Sequence, residues 1–188
     1  MNKIDYWVWE NRFSKKERKK LNAISLANYL DLKSDKFVAK DKNNISKKQA
    51  ETYYIYYKYL KNLIYDAIEQ SLFINKHYFG YDIYPLNDYL CLNYNVYNSS
   101  NKGEYDWHTD VSNSSVLDFK LTMLINISEE NFEGGELLIE GTNQVEINNF
   151  KKPGSVTIFK SYLRHKVTPV TKGIRKTLTI FLEGPRFK

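Results

Sequence analysis

The stretch YDWHTD at residues 105–110 sets His108 two positions before Asp110. In an extended strand, residues i and i+2 project from one face, so an imidazole and a carboxylate converge on one point. His165 opens the segment HKVTPV after a turn and a further short strand, which is expected to return the chain to the same end of a sandwich. Two histidines and one carboxylate on one face of an octahedral metal leave positions open, the donor set of non-heme Fe(II) oxygenases. Zinc accepts the same ligand types. Arg175 lies across the turn Thr171-Lys-Gly-Ile from His165, on the expected neighbouring strand and deeper in the same cavity. A permanently charged planar fork there suits a carboxylate held between metal and arginine.

These residues need a scaffold that is mostly sheet. Past Tyr81 the chain breaks into short runs rich in Val, Ile, Thr, Tyr and Phe, separated by Gly, Asn, Pro and Ser. The expected strands are Tyr89–Tyr97, Phe119–Ile127, Glu136–Glu140, Gln144–Ile147, Ser155–Phe159, His165–Val170 and Lys176–Leu182. Turn signals stand between them at Asn98 to Lys102, Gly134-Gly135, Gly141 to Asn143, Pro153-Gly154 and Lys172-Gly173. No helix-length segment separates these strands, which disfavours a parallel βαβ sheet and indicates a β-sandwich or jelly roll.

Two helices are expected earlier. Ser14-Lys-Lys-Glu17 is a capping box, and the apolar spacing after it predicts a helix to about Leu32. Ser46-Lys-Lys-Gln49 repeats the device, and Tyr53, Tyr56, Tyr57, Leu60, Leu63, Ile64, Ala67 and Ile68 follow at three- and four-residue spacing, which predicts a longer, better buried second helix. With 188 residues the chain suits one domain, a helical flank over 1–80 and a jelly-roll core over 81–188.

Composition narrows the class. Hydrophobic content of 42% and aromatic content of 15% support a folded core rather than disorder. The stretch MNKIDYWVWENRF has no long apolar run and no small-residue cleavage site, and no segment approaches the roughly 18 apolar residues of a membrane span. Neither secretion nor membrane insertion is expected, and the single cysteine, Cys91, suits a reducing cytoplasm. The net charge of +6 raises nucleic acid as a partner, but the lysines cluster at the starts of the expected helices, where a solvated face is the commoner explanation.

The C-terminal half resembles the Fe(II)/2-oxoglutarate-dependent dioxygenases of the prolyl 4-hydroxylase-like type. The matching stretches are YDWHTD at 105–110, KLTMLINIS at 120–128, FEGGEL at 132–137, KPGSVTIF at 152–159 and RHKVTPVTKGIRKTL at 164–178, alike in order and spacing. Taken singly, His-X-Asp is a weak signal; the combined set, over roughly residues 89 to 188, is a strong one. The resemblance implies a double-stranded β-helix with His108, Asp110 and His165 as iron ligands and Arg175 on the distal carboxylate of 2-oxoglutarate. It further implies contacts to this cosubstrate from Tyr94, from the Thr177 hydroxyl and, where some relatives carry a pocket tyrosine, from Asn126. Fe(II), 2-oxoglutarate and O2 would be required, with ascorbate as an optional reductant, and succinate and CO2 would be released as a C–H bond is hydroxylated. A prolyl residue of a protein or peptide is the substrate that the analogy favours. Nucleic acid or a small molecule as substrate, and an inactive metal-binding β-sandwich, are the competing readings.

Each residue also has a plainer reading. His77, between Lys76 and Tyr78, reads as an exposed or helix-terminal residue and stays outside the site. Trp107 and Tyr105 read as packing, with a wall of the substrate entrance as the alternative. Gly134-Gly135 reads as a turn requirement without chemistry.

Overall fold

The computed structural model describes residues 4–30, 47–112, 114–141 and 144–186. In chain order the elements are β1 (Tyr6–Trp9), α1 (Lys15–Ala27), β2 (Lys48–Gln49), β3 (Glu51–Tyr56), α2 (Lys61–Ile74), β4 (Cys91–Asn98), β5 (Glu104–His108), β6 (Leu117–Asn126), β7 (Glu133–Gly134), β8 (Leu137–Glu140), β9 (Gln144–Glu146), β10 (Val156–Lys160), β11 (Arg164–Val167), β12 (Val170–Lys172) and β13 (Ile174–Pro185). Two main antiparallel sheets of a jelly roll result, a six-stranded one ordered β1-β10-β6-β13-β4-β3 and a five-stranded one ordered β2-β5-β11-β8-β9, and β12 pairs with β7 in a small two-stranded sheet.

The six-stranded sheet is covered on both faces, and strand alternation decides which residues go where. Leu178, Ile180 and Leu182 of β13 join Leu121, Met123 and Ile125 of β6 and Leu92 and Tyr94 of β4 in a core closed by Leu21 of α1 and by Ile64 and Ile68 of α2. The opposite face meets the five-stranded sheet over a smaller cluster that includes Leu124, Leu137, Phe150, Phe159 and Val167. On that inner face β13 turns polar, with Arg175, Thr177 and Thr179 all at least nine-tenths buried. Buried polar groups are retained only where something satisfies them, so the polar stretch points to a site.

Helix α1 begins as its sequence dictates: Ser14 accepts from the Glu17 amide at 3.3 Å and the Ser14 amide donates to Glu17 Oε2 at 2.8 Å. Arg18 ties the helix to the sheet by donating to the carbonyls of Ser128 at 2.8 Å and Phe13 at 2.9 Å. The helix stops at Ala27, short of the expected Leu32, because the Leu30 amide donates instead to the Tyr54 carbonyl, a bridge to β3. Leu32 lies outside the described residues.

The second expected helix is corrected more deeply. ETYYIY forms β3, paired antiparallel with β4 from Glu51↔Val96 to Tyr56↔Cys91, and helix begins only at Lys61. The tyrosines at 53, 56 and 57 do recur at helical spacing, but a short β-branched and aromatic run satisfies either period. The open edge of β4 supplies ladder hydrogen bonds that settle the choice. Of the supposed second capping box, Ser46 lies outside the described residues and Gln49 is in β2, which pairs with β5. The N-terminal third therefore adds three strands as well as helices.

Candidate metal centre and cosubstrate pocket

β5 and β11 are neighbours, and their register sets His165 opposite His108. From His165 to Val167 is two residues, whereas the paired span from His108 back to Tyr105 is three, so β5 carries a bulge at Asp106-Trp107. The extra residue lets both Tyr105 and His108 face inward and turns Trp107 outward, where it lies between Arg164 (5.4 Å) and Lys166 (5.6 Å). Tyr105 stacks on the His108 ring at 3.5 Å and 11°, and Phe159 meets His165 at 4.7 Å, fixing both imidazoles.

Asp110 follows just past the end of β5. Its amide donates to the Ser161 carbonyl at 3.0 Å, and Thr122 Oγ1 donates to its Oδ2 at 2.7 Å while lying 2.9 Å from Ser161 Oγ. One oxygen stands 3.8 Å from His108 Nε2 and the other 3.3 Å from His165 Nε2. One ligand atom from each of the three residues falls within 4.8 Å of the others. Both Nδ1 atoms lie against the carbonyl two residues before their own ring, 2.7 Å from Asp106 O and 2.9 Å from Leu163 O. A carbonyl accepts only, so each Nδ1 carries a proton and each Nε2 faces the cluster.

Electrostatics at His108 and Asp110 agree with a metal-binding set, whereas Asp110 favours the charged form of His165. Burial, reinforced by His165, pushes His108 down to about 3, which keeps it neutral. Burial alone would raise the Asp110 carboxyl, but the two histidines and Thr122 outweigh it and hold it below the ordinary range. His165 is raised, because the attraction of Asp110 overcomes the burial that would lower it. Neutral imidazole and ionised carboxylate are the forms that ligate metals.

The same pocket holds Arg175, which is 1% exposed. Its guanidinium carbon lies 5.0 Å from the Tyr97 ring centre and 5.8 Å from that of Phe150. Its Nη2 atom is buried and has no hydrogen-bond partner among the described residues. A buried unpaired guanidinium nitrogen is costly, and a carboxylate is the partner its geometry suits. Gly135, at φ +65°, makes room for it: a Cβ there would lie 2.9 Å from Arg175 Cδ. The glycine thus does more than turn the chain, because any larger residue would displace the arginine.

Residues 92–183 match the model of the 2OG-Fe(II) oxygenase superfamily. Over that stretch the chain is similar to members of this superfamily. It is 34% identical over 89 residues to a PKHD-type hydroxylase of Synechococcus sp. (strain CC9605), a stretch covering 45% of this chain and 39% of the relative. The chain therefore aligns with well under half the length of that relative. A PKHD-type hydroxylase of Aliarcobacter butzleri (strain RM4018) is 27% identical over 176 residues, 87% of this chain and 71% of the relative. In fold, the chain is similar to the viral collagen prolyl hydroxylase of Paramecium Bursaria Chlorella virus-1 in its 2OG complex, with TM-score 0.67, 16% identity and coverage of 96% and 97% of the two chains.

The oxygenase fold brings His108, Asp110, His165, Arg175 and Thr177 into one pocket. Tyr94 and Asn126 are corrections. In β4 the inward residues are Asn93, Asn95 and Tyr97, so alternation sends Tyr94 to the helical face, where its hydroxyl donates to Asn22 Oδ1 at 2.9 Å. Tyr97 occupies the position beside Arg175, and burial pushes its phenol up to about 12, although Arg175 opposes this. Asn126 spends its amide on the Phe150 and Lys151 carbonyls at 3.1 and 3.0 Å, and its Oδ1 accepts from the Ser128 amide. It pins the turn before β10 and does not line the pocket.

His77 is exposed and packs beside Phe73, away from the site. Sequence reasoning missed Lys48, Tyr97, Thr122 and Ser161. Tyr97 and Thr122 had no local signal of their own, because the inward faces of β4 and β6 are set by their register with β13. Lys48 enters from β2, whose pairing with β5 carries no local sequence signature.

Proposed function

We propose that this chain is an Fe(II)- and 2-oxoglutarate-dependent dioxygenase that hydroxylates a C–H bond of a prolyl residue in a protein or peptide. The observation that carries this reading is one pocket holding a His-Asp-His donor set at one end and a buried guanidinium nitrogen without a partner at the other. The first suits a divalent metal with open positions, and the second suits the far carboxylate of a dicarboxylate cosubstrate. The prolyl assignment draws on the relatives, which are named as PKHD-type and collagen prolyl hydroxylases.

Fe(II) with 2-oxoglutarate supplies the oxidising chemistry, in which O2 and 2-oxoglutarate are consumed, succinate and CO2 leave, and one oxygen atom enters the substrate C–H bond. The chain's own residues bind, orient and exclude water. His108 and His165 offer their Nε2 atoms, oriented by their Nδ1 contacts to backbone carbonyls. Asp110 contributes the single negative charge, held by Thr122. Arg175 fixes the cosubstrate's far end, with Thr177 two residues along β13 offering a hydroxyl on the same face. Leu124, Leu137 and Val167 give the pocket an apolar wall that limits water.

The test supplies the chain with Fe(II), 2-oxoglutarate and isotopically labelled O2, together with proline-bearing peptides, oligonucleotides or small prolyl compounds. Labelled oxygen in the peptide and stoichiometric succinate are expected. Label in the oligonucleotide alone would replace the prolyl reading with a nucleic-acid one, and no succinate under any condition would overturn the dioxygenase reading.

A further inference from the structure

We propose that Lys48 is a second anion contact of the cosubstrate pocket, engaging the carboxylate at the metal end of a bound 2-oxo acid while Arg175 takes the far one. This rests on the cosubstrate assignment above and adds a residue from outside the stretch that matches the family, residues 92–183.

Lys48 is delivered inward by backbone pairing. β2 joins the edge of the five-stranded sheet with Lys48 opposite Tyr105, and the side chain crosses to the other sheet, where Nζ donates to Asn95 Oδ1 at 2.6 Å. Asn95 is 3% exposed and is itself fixed, accepting from Thr52 at 3.0 Å and donating to Thr179 Oγ1 at 3.0 Å. The ammonium lies 5.2 Å from the centre of the Tyr105 ring, and that ring stacks on His108.

Register places the two cations along the pocket. Arg175 is level with Tyr97, whereas Asn95, which holds the ammonium, is level with Thr177. Two more residues along β13 stands Thr179, and beyond it Phe181, which is level with Thr122, the residue that grips Asp110. Lys48 therefore lies between Arg175 and the donor set. Two cations lining one pocket, Arg175 buried and Lys48 half-buried, repel each other, and an anion with a carboxylate near each offsets that repulsion. A lysine serves as a compact point charge and does not need the forked geometry that Arg175 offers the far carboxylate.

Three variants separate charge from scaffolding. Lys48→Gln keeps an N–H donor for Asn95 and removes the charge; Lys48→Arg keeps the charge; Arg175→Gln removes the far cation. Each is loaded with Mn(II) as a redox-silent stand-in for Fe(II) and titrated calorimetrically with 2-oxoglutarate and with 2-oxobutyrate, which retains the oxo acid and lacks the far carboxylate. Lys48→Gln is expected to weaken both acids by about tenfold or more, as loss of a charge-assisted contact should. Lys48→Arg should recover most of that affinity, and Arg175→Gln should weaken 2-oxoglutarate alone. Mn(II) affinity close to wild type in Lys48→Gln confirms an intact donor set. Unchanged binding of both acids by Lys48→Gln would overturn the proposal, as would a loss confined to 2-oxoglutarate, which would put Lys48 at the far carboxylate. If the Mn(II)-loaded wild type bound neither acid, the cosubstrate assignment itself would fall, and the role of Lys48 with it.

Discussion

Thr122 is the residue whose effect most exceeds its visibility in the sequence. It touches no expected ligand other than Asp110, yet its hydroxyl fixes the carboxylate oxygen that also faces His165. Thr122→Val keeps the shape and removes the donor, so metal affinity should fall about 10- to 100-fold, measured by competition with a chelator, with little change in thermal stability. Gly135→Ala should act at the other end: it strains a backbone at φ +65° and pushes on Arg175 Cδ, so 2-oxoglutarate affinity should drop while Mn(II) affinity is kept. At this scale the grouping of His108, Asp110, His165 and Arg175 in one pocket was readable because charged and titratable residues on an otherwise apolar, period-2 background have few other uses. Tyr94 was misread because the face of β4 depends on its register with β13, which no local pattern fixes. Tyr97, three residues on, is the tyrosine that reaches the pocket.

Elements show the same division between local and non-local causes. The start of α1 was readable because its capping box lies within four residues, and Ser14→Ala should cost about 0.5–2 kcal/mol in chemical denaturation. β3 was misread as helix because its tyrosine spacing fits two periods and only the edge of β4 chooses between them. Short strands such as β2 and β7 exist through their partners and have no composition of their own. Glu136, just before β8, accepts from Lys151 Nζ at 2.5 Å and from the Thr168 hydroxyl. Burial would raise its carboxyl, but these two partners outweigh it and hold it below the ordinary range. A carboxyl lowered by folding contributes stability that is fully present above its unfolded value and is lost as pH falls through the folded one. Glu136→Gln should therefore flatten the acid limb of the stability profile below about pH 4.5, the region of an unperturbed glutamate, and change little of its slope near pH 7.

As a whole, the molecule is organised around the six-stranded sheet, with the helices on one face and the site between the sheets on the other. That arrangement explains why β6 is buried from Lys120 to Asn126, and why the buried polar residues Arg175, Thr177 and Thr179 of β13 stand out on its inner face. Ile64→Ala in α2 should cost about 2–5 kcal/mol by opening a cavity in the helical core. It should leave 2-oxoglutarate affinity intact, because the sheet separates that core from the pocket. The central claim is that His108, Asp110, His165 and Arg175 together hold Fe(II) and 2-oxoglutarate. Its most direct test is anaerobic addition of 2-oxoglutarate to the Fe(II)-loaded chain, followed by visible absorption. A weak metal-to-ligand charge-transfer band is expected for the wild type, absent in Asp110→Ala and shifted to higher 2-oxoglutarate concentration in Arg175→Gln. No band in the wild type, or an equal band in Asp110→Ala, would contradict the account.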